Sequence, residues 1–274
     1  MKLTSLLIGF GLLASAALAQ ALEPPILEGD ATQGGLIRGR TAPGNEVFLD
    51  DRKLRVSSDG RFVFGFHRDA PGQAILTLRE PGGAGLMVPI TVAQRTYDIQ
   101  RIDGLPNNMV TPPQDLLDRL ERERAEVYEA RSRDRDLPFA LGDFIWPATG
   151  PISGVYGSQR ILNGQPKQPH YGVDVARPEG TPVVAPAGGV VTLAVTDHYY
   201  TGGTIIIDHG FGLTSAFLHL SEVVVEKGQE VSQGDLIGRI GATGRVTGAH
   251  LDWRMNWFEE RVDPMLVVGP MPQQ

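Results

Sequence analysis

Cysteine is absent from all 274 residues. That excludes disulfides, a thiolate nucleophile, Cys-ligated zinc, iron–sulfur clusters and a lipid-bearing cysteine behind a leader. Basic runs are also missing. Lys and Arg number 25 against 32 Asp and Glu, a formal charge of −7, so neither nucleic acid nor an anionic membrane surface is an expected partner. No GxxxxGK[ST] phosphate loop occurs. Beyond the first twenty residues no apolar run is long enough to span a bilayer. What is present reads as globular: 41% hydrophobic and 21% charged residues exclude a disordered chain and a multi-span membrane protein. The 34 glycines and 20 prolines follow no fixed period, which excludes collagen and favours turn-rich β structure. The length suits two modest domains at about 150 residues each.

Four segments follow from the pattern. Residues 1–19 read as a secretory signal peptide: Lys2, an apolar run from Leu3 to Leu18, and the small-residue site Ala17-Leu18-Ala19. Its removal leaves 24 basic and 32 acidic side chains, a charge of −8, on an exported, periplasmic or cell-envelope protein. Residues 22–98 hold short β-forming runs such as Arg61-Phe-Val-Phe-Gly-Phe66, split by turns such as Ser58-Asp-Gly60, and predict a small immunoglobulin-like β-sandwich, an accessory module. Residues 99–137 form a linker with a charged helix. Asp115 to Asp136 carries eight acidic and six basic residues around an apolar stripe of Leu116, Leu117, Leu120, Val127 and Tyr128. Residues 138–270 return to Gly-rich β pattern and predict an antiparallel, barrel-like sandwich, so the protein as a whole is mostly β.

Five of the six histidines lie in this last segment. From Gly248 to Trp257 the chain alternates: His250, Asp252, Arg254 and Asn256 share one face, Leu251, Trp253, Met255 and Trp257 the other. The first set pairs an imidazole with a carboxylate about 6.6 Å along one face. That spacing suits a metal ligand beside a proton-transfer group, and equally the polar face of an edge strand. In His170-Tyr-Gly-Val-Asp174, an extended chain would hold the two side chains about 13 Å apart. Gly172 offers a bend that could bring them to one ion; His and Asp are both zinc ligands. His219 lies between apolar residues, where a lone His is more often a satisfied core residue. His209 reads as turn packing and His198 as an exposed loop residue. Arg160 suits either the site or structural pairing, and Tyr199 and Tyr200 either a groove wall or an ordinary hairpin loop.

The ordered set resembles the lysostaphin/LytM-type zinc metalloendopeptidases, over about residues 144–268. The pieces are Tyr156-Gly-Ser-Gln-Arg160, His170-Tyr-Gly-Val-Asp174, Gly180-Thr-Pro-Val-Val-Ala-Pro-Ala-Gly-Gly-Val190, Gly203-Thr-Ile-Ile-Ile-Asp-His-Gly210, His219-Leu-Ser221, Val225-Glu-Lys-Gly-Gln-Glu-Val231 and Gly241-Ala-Thr-Gly-Arg-Val-Thr-Gly-Ala-His-Leu251. The resemblance implies a LytM-like metallopeptidase domain over 138–270 with one Zn²⁺ per chain on His170, Asp174 and Asp252. It implies catalytic roles for His219 and His250, and hydrolysis of peptidoglycan peptide bonds by a metal-activated water. The third ligand slot departs from the family: Asp252 stands where the family carries His. Two carboxylates would make the ion a weaker Lewis acid than one. A degenerate family member that binds peptidoglycan, or activates a cell-wall amidase or another division or envelope protein, is the alternative.

Overall fold

The computed structural model describes residues 22–83, 85–104 and 110–272. The leader expected over residues 1–19 lies outside them. Among the described residues no helix is long and apolar enough to cross a membrane.

Seven strands open the chain: β1 (Ile26–Glu28), β2 (Leu36–Arg40), β3 (Glu46–Leu49), β4 (Arg52–Leu54), β5 (Arg61–Gly65), β6 (Gln73–Arg79) and β7 (Gly85–Thr91). They form two antiparallel sheets, ordered β1-β2-β5 and β4-β3-β6-β7. Strand β6 alternates as a half-buried strand should, with Ala74, Leu76 and Leu78 inside. Strand β5 is apolar on both sides, and Phe62, Val63 and Phe64 are all buried.

The connecting stretch is more ordered than a linker. Strand β8 (Ile99–Ile102) lies within it and pairs in parallel with a strand some 60 residues later. Helix α1 (Leu117–Arg131) follows a short 3₁₀ turn at Gln114–Leu116. The expected apolar stripe is only partly used. Leu120 and Ala130 are buried and Val127 is half-buried, but Leu117 and Tyr128 face solvent. A second 3₁₀ turn, Pro138–Leu141, leads into the last segment.

Strands β9 (Ile152–Gly154), β10 (Gln159–Leu162), β11 (Gln165–Pro166), β12 (Val173–Ala176), β13 (Pro182–Val184), β14 (Gly189–His198), β15 (Gly202–Gly210), β16 (Leu213–Val223), β17 (Glu230–Val231), β18 (Leu236–Ile240), β19 (His250–Trp257) and β20 (Glu260–Val262) complete the β structure, before a five-residue helix α2 (Pro264–Val268). The main sheet runs β17-β14-β15-β16-β19-β12-β9, with β18 and β20 paired at its sides. It does not close: this is an open sheet, not a barrel. A small sheet, β11-β10-β8, joins the β8 stretch to the loop before β12.

The two faces of the main sheet have different fates. Leu251, Trp253, Met255 and Trp257 of β19 join a core that continues through Phe217 and Val262 into Phe62, Phe64 and Leu76 of the first seven strands. At Gly65 a methyl group would stand 2.6 Å from Val262 Cγ1, so the two sandwiches meet there backbone against side chain. Arg38 donates to the Ala140 and Gly142 carbonyls, and Arg95 pairs with buried Asp263 at 2.9 Å. On the other face, Ala130 of α1 packs over Leu193, Ile206, Ala216 and Leu218.

Candidate metal centre

Strand pairing brings the acids together. Asp174 on β12 lies directly opposite Asp252 on β19, and Asp252 lies opposite Leu218 on β16. Like charges placed cross-strand repel, so this pair calls for compensation. The β19 alternation holds: His250, Asp252, Arg254 and Asn256 lie on the face opposite the main core.

His170 precedes β12 in a loop fixed by its own backbone. Its N–H donates to Ser158 O at 2.8 Å and its carbonyl accepts from Gly157 N at 2.7 Å. Its Nδ1 sits 3.2 Å from Val155 O, which leaves Nε2 facing the acids. The 13 Å extended separation collapses: His170 Nε2 is 3.0 Å from Asp174 Oδ1 and 3.5 Å from Asp252 Oδ2. Gly172 permits it by close approach, since a methyl group there would stand 2.5 Å from Asp252 Oδ1.

Three donor atoms, from His170, Asp174 and Asp252, lie within 4.8 Å of one another, all on buried residues. His170 Nε2 and Asp174 Oδ1 are buried without a well-formed hydrogen bond. Buried polar atoms are rarely left so. One imidazole nitrogen and two carboxylate oxygens, two of them unsatisfied and all this close together, fit a divalent cation of the zinc type.

Two arginines compensate the acids. Arg254 grips Asp252 with two bonds, Nε to Oδ1 at 2.9 Å and a terminal nitrogen to Oδ2 at 2.6 Å. Arg160, from β10, stands 3.5 Å from Asp174 Oδ2, so the reading of it as a site residue is the one the geometry favours. Burial alone would raise the Asp252 pKa, but Arg254 and then His170 hold it well below the usual carboxylate range. Burial alone would lower His170; the Asp252 and Asp174 carboxylates outweigh it and raise its pKa.

His219 reaches the same face through a backbone irregularity. Its φ of +66° is left-handed, a rare conformation for a non-glycine residue. Phe217 and Leu220 enter the main core, Leu218 the opposite one, and His219 stays on the side of Leu218 instead of returning to that of Phe217. Its ring lies 4.9 Å from that of His250. The sequence alternation predicts a core histidine here, and only the kink overrides it. Nδ1 of His219 bonds to Thr243 O at 2.8 Å, and burial chiefly pulls its pKa down to about 4, so Nε2 is a free acceptor at neutral pH. His250 is anchored through Nδ1 to Gly248 O at 2.9 Å, with Nε2 3.9 Å from Asp174 Oδ1.

The other histidines lie apart from this centre. His209 is no turn residue: it lies within β15, fully buried, bonded to Gly188 O at 2.7 Å and Ser215 Oγ at 2.9 Å. His198 is not exposed either; it ends β14, buried against Glu126 of α1 at 3.1 Å. The Tyr199 and Tyr200 rings meet edge to face at 4.9 Å, and Tyr200 lines a cavity under α1.

The segment that carries these residues is similar to known proteins. The model of peptidase family M23 matches residues 168–264, which include His170, Asp174, His219, His250 and Asp252. The chain is 47% identical over 103 residues to peptidoglycan DD-endopeptidase ShyA of Vibrio cholerae, covering 38% of this chain and 24% of that protein. It is 32% identical over 133 residues to cell division protein DipM of Caulobacter vibrioides, covering 46% and 21%. It thus spans about a quarter of the length of the curated relatives it matches. A crystal structure described as a peptidase M23 from Pseudomonas aeruginosa superposes with a TM-score of 0.67 at 30% identity, over 88% of this chain and 96% of that one. With the family match lying over the site and the structural likeness extending through both sandwiches, the chain belongs to peptidase family M23.

Proposed function

We propose that this chain is an exported zinc metalloendopeptidase that hydrolyses peptide bonds in bacterial peptidoglycan. The observation that carries the reading is the convergence of His170, Asp174 and Asp252, two of their donor atoms unsatisfied, beside the paired imidazoles of His219 and His250. Membership of a peptidase family, relatives named as peptidoglycan endopeptidases, and the leader-like first 19 residues support it.

His170, Asp174 and Asp252 would hold the ion. When bound, zinc supplies Lewis acidity and lowers the pKa of a coordinated water. The chain's own residues do the rest. His219 is neutral and presents Nε2 as a proton acceptor. The proton that His219 takes from the water is the one returned to the leaving amine, and His250, its Nδ1 anchored, presents Nε2 from the neighbouring strand to share in that transfer. Arg254 cancels the charge of the extra carboxylate, so the Asp252–Arg254 pair approximates the neutral imidazole usual in the family.

The same clamp favours a second reading. A guanidinium already neutralises Asp252, so the cluster could persist without metal in a protein that binds peptidoglycan, or activates a cell-wall amidase, without cutting. Metal analysis of the purified protein, with digestion of purified peptidoglycan with and without chelator, separates the two. Stoichiometric zinc and chelator-sensitive release of free amines support the peptidase. No metal and no release leave the binding protein.

A further inference from the structure

A cavity of about 410 Å³ opens under α1, on the same face as the metal centre. Its walls carry three arginines, Arg124 and Arg131 from α1 and Arg261 from β20. Two glutamates also line it, but both are engaged. Glu123 accepts from Arg119 Nε at 2.7 Å and from the Tyr199 N–H, and Glu259 pairs with Arg52 at 2.8 Å. Among the described residues none of the three arginines has a carboxylate within ion-pair distance. Arg131 Nε is buried with no hydrogen-bond partner. Its place in the last helical turn gains something from the helix dipole, but Arg261 has no such help. The Arg261 side chain donates to Asn256 Oδ1 at 3.1 Å and lies 5.4 Å from the Tyr171 ring centroid. Burial, and then the like charge of Arg254, pulls its pKa down to about 10. Burial, and then the like charges of Arg261 and Arg254, lower the pKa of Arg131 as well. Part-buried cations that repel one another, with no carboxylate in ion-pair range and the field of Asp252 to oppose them only in part, fit an anion from outside.

The position fixes what kind of anion. Asn256, at the cavity wall, is four residues along β19 from Asp252 on the same face, about 13 Å at the usual strand rise. Arg261 sits opposite Asn256 on β20, and its ring partner Tyr171 adjoins His170. A peptide lying in extended form along this face would set a group three or four residues from the reacting bond into the cavity.

We propose that the cavity binds a free carboxylate of an acidic peptide, with Arg131 and Arg261 as its ligands and Arg124 at the mouth. This rests on the reading of the chain as a peptidoglycan peptidase and adds a specificity to it: acidic stem peptides in preference to amidated ones. It also gives α1 a role as one wall of the substrate groove.

The test is equilibrium binding of the acidic stem tetrapeptide, and of the same peptide with its carboxylates amidated. The full chain is used, with chelator present to keep the peptide intact. The acid form should bind at least ten-fold more tightly than the amide, with a gap that shrinks as salt rises. Arg131→Gln and Arg261→Gln should each remove most of that gap while leaving the amide form unaffected. Arg124→Gln, at an exposed position that the fold does not depend on, should narrow it. Equal affinity for acid and amide in the wild type overturns the proposal, as does an undiminished gap in Arg131→Gln. Zinc content and peptidoglycan digestion test the peptidase reading separately. A gap that persists in a chain that neither takes zinc nor cuts supports the subsite and removes the peptidase. Cutting without a gap removes the subsite alone.

Discussion

Asp174 and Asp252 face each other across neighbouring strands with almost no access to water. Like charges set directly opposite across strands repel, and positive charge must offset both. Asp252→Ala should therefore lose bound zinc, whereas Asp252→His should keep or raise zinc affinity, both measured by metal analysis after dialysis. Arg254→Gln leaves Asp252 buried without its partner; loss of one member of a buried pair typically costs about 3–5 kcal/mol. Its melting temperature in chelator should fall accordingly, and saturating zinc should restore much of the loss, because the metal supplies the missing positive charge. Gly172→Ala should reduce zinc uptake, since the added methyl collides with Asp252 Oδ1 at 2.5 Å, while Gly248→Ala, with nothing within 4 Å, should leave it unchanged.

At the scale of elements, α1 shows how little of a charged helix must be apolar for it to dock. Leu120, Val127 and Ala130 suffice, because polar contacts at its flanks hold the rest: an ion pair from Arg119 to Asp197, and hydrogen bonds between Glu126 and the His198 ring and from the Tyr199 N–H to Glu123. Ala130 sits flush on Leu193, Ile206, Ala216 and Leu218. Ala130→Leu should overpack this contact at a cost of about 1–3 kcal/mol. Limited proteolysis should then cut α1 sooner than in the wild type. The apolar stripe read from the sequence included Leu117 and Tyr128, which face water. Which positions of a weakly amphipathic helix are buried depends on the surface it lands on, and that surface is built from strands 60 to 100 residues later.

For the molecule as a whole, the core that joins the two sandwiches carries its own pH dependence. His209 is fully buried with both ring nitrogens bonded, and burial pulls its pKa down to about 4. In the unfolded chain a histidine titrates near 6.5. The unfolded state takes up the proton first, so this contribution to stability is complete above pH about 6.5. It is lost at about 1.4 kcal/mol per pH unit as pH falls, and levels off near 4. His219 acts in the same direction. Urea midpoints between pH 7.5 and 4 should decline over that window, and His209→Gln should flatten the slope by one proton.

Local chemistry by itself determined the β-rich class, the alternation of β19 and the ordered His and Asp motifs, because strand period and turn residues act over a few neighbours. Tertiary structure alone decided the site. His170 meets Asp174 only through a loop bent at Gly172, and His219 faces the cleft only because its backbone turns left-handed. Arg254, named from the sequence merely as a same-face neighbour, becomes the counter-charge of Asp252. Those outcomes depend on cross-strand register and buried charge balance, which no stretch of neighbouring residues encodes.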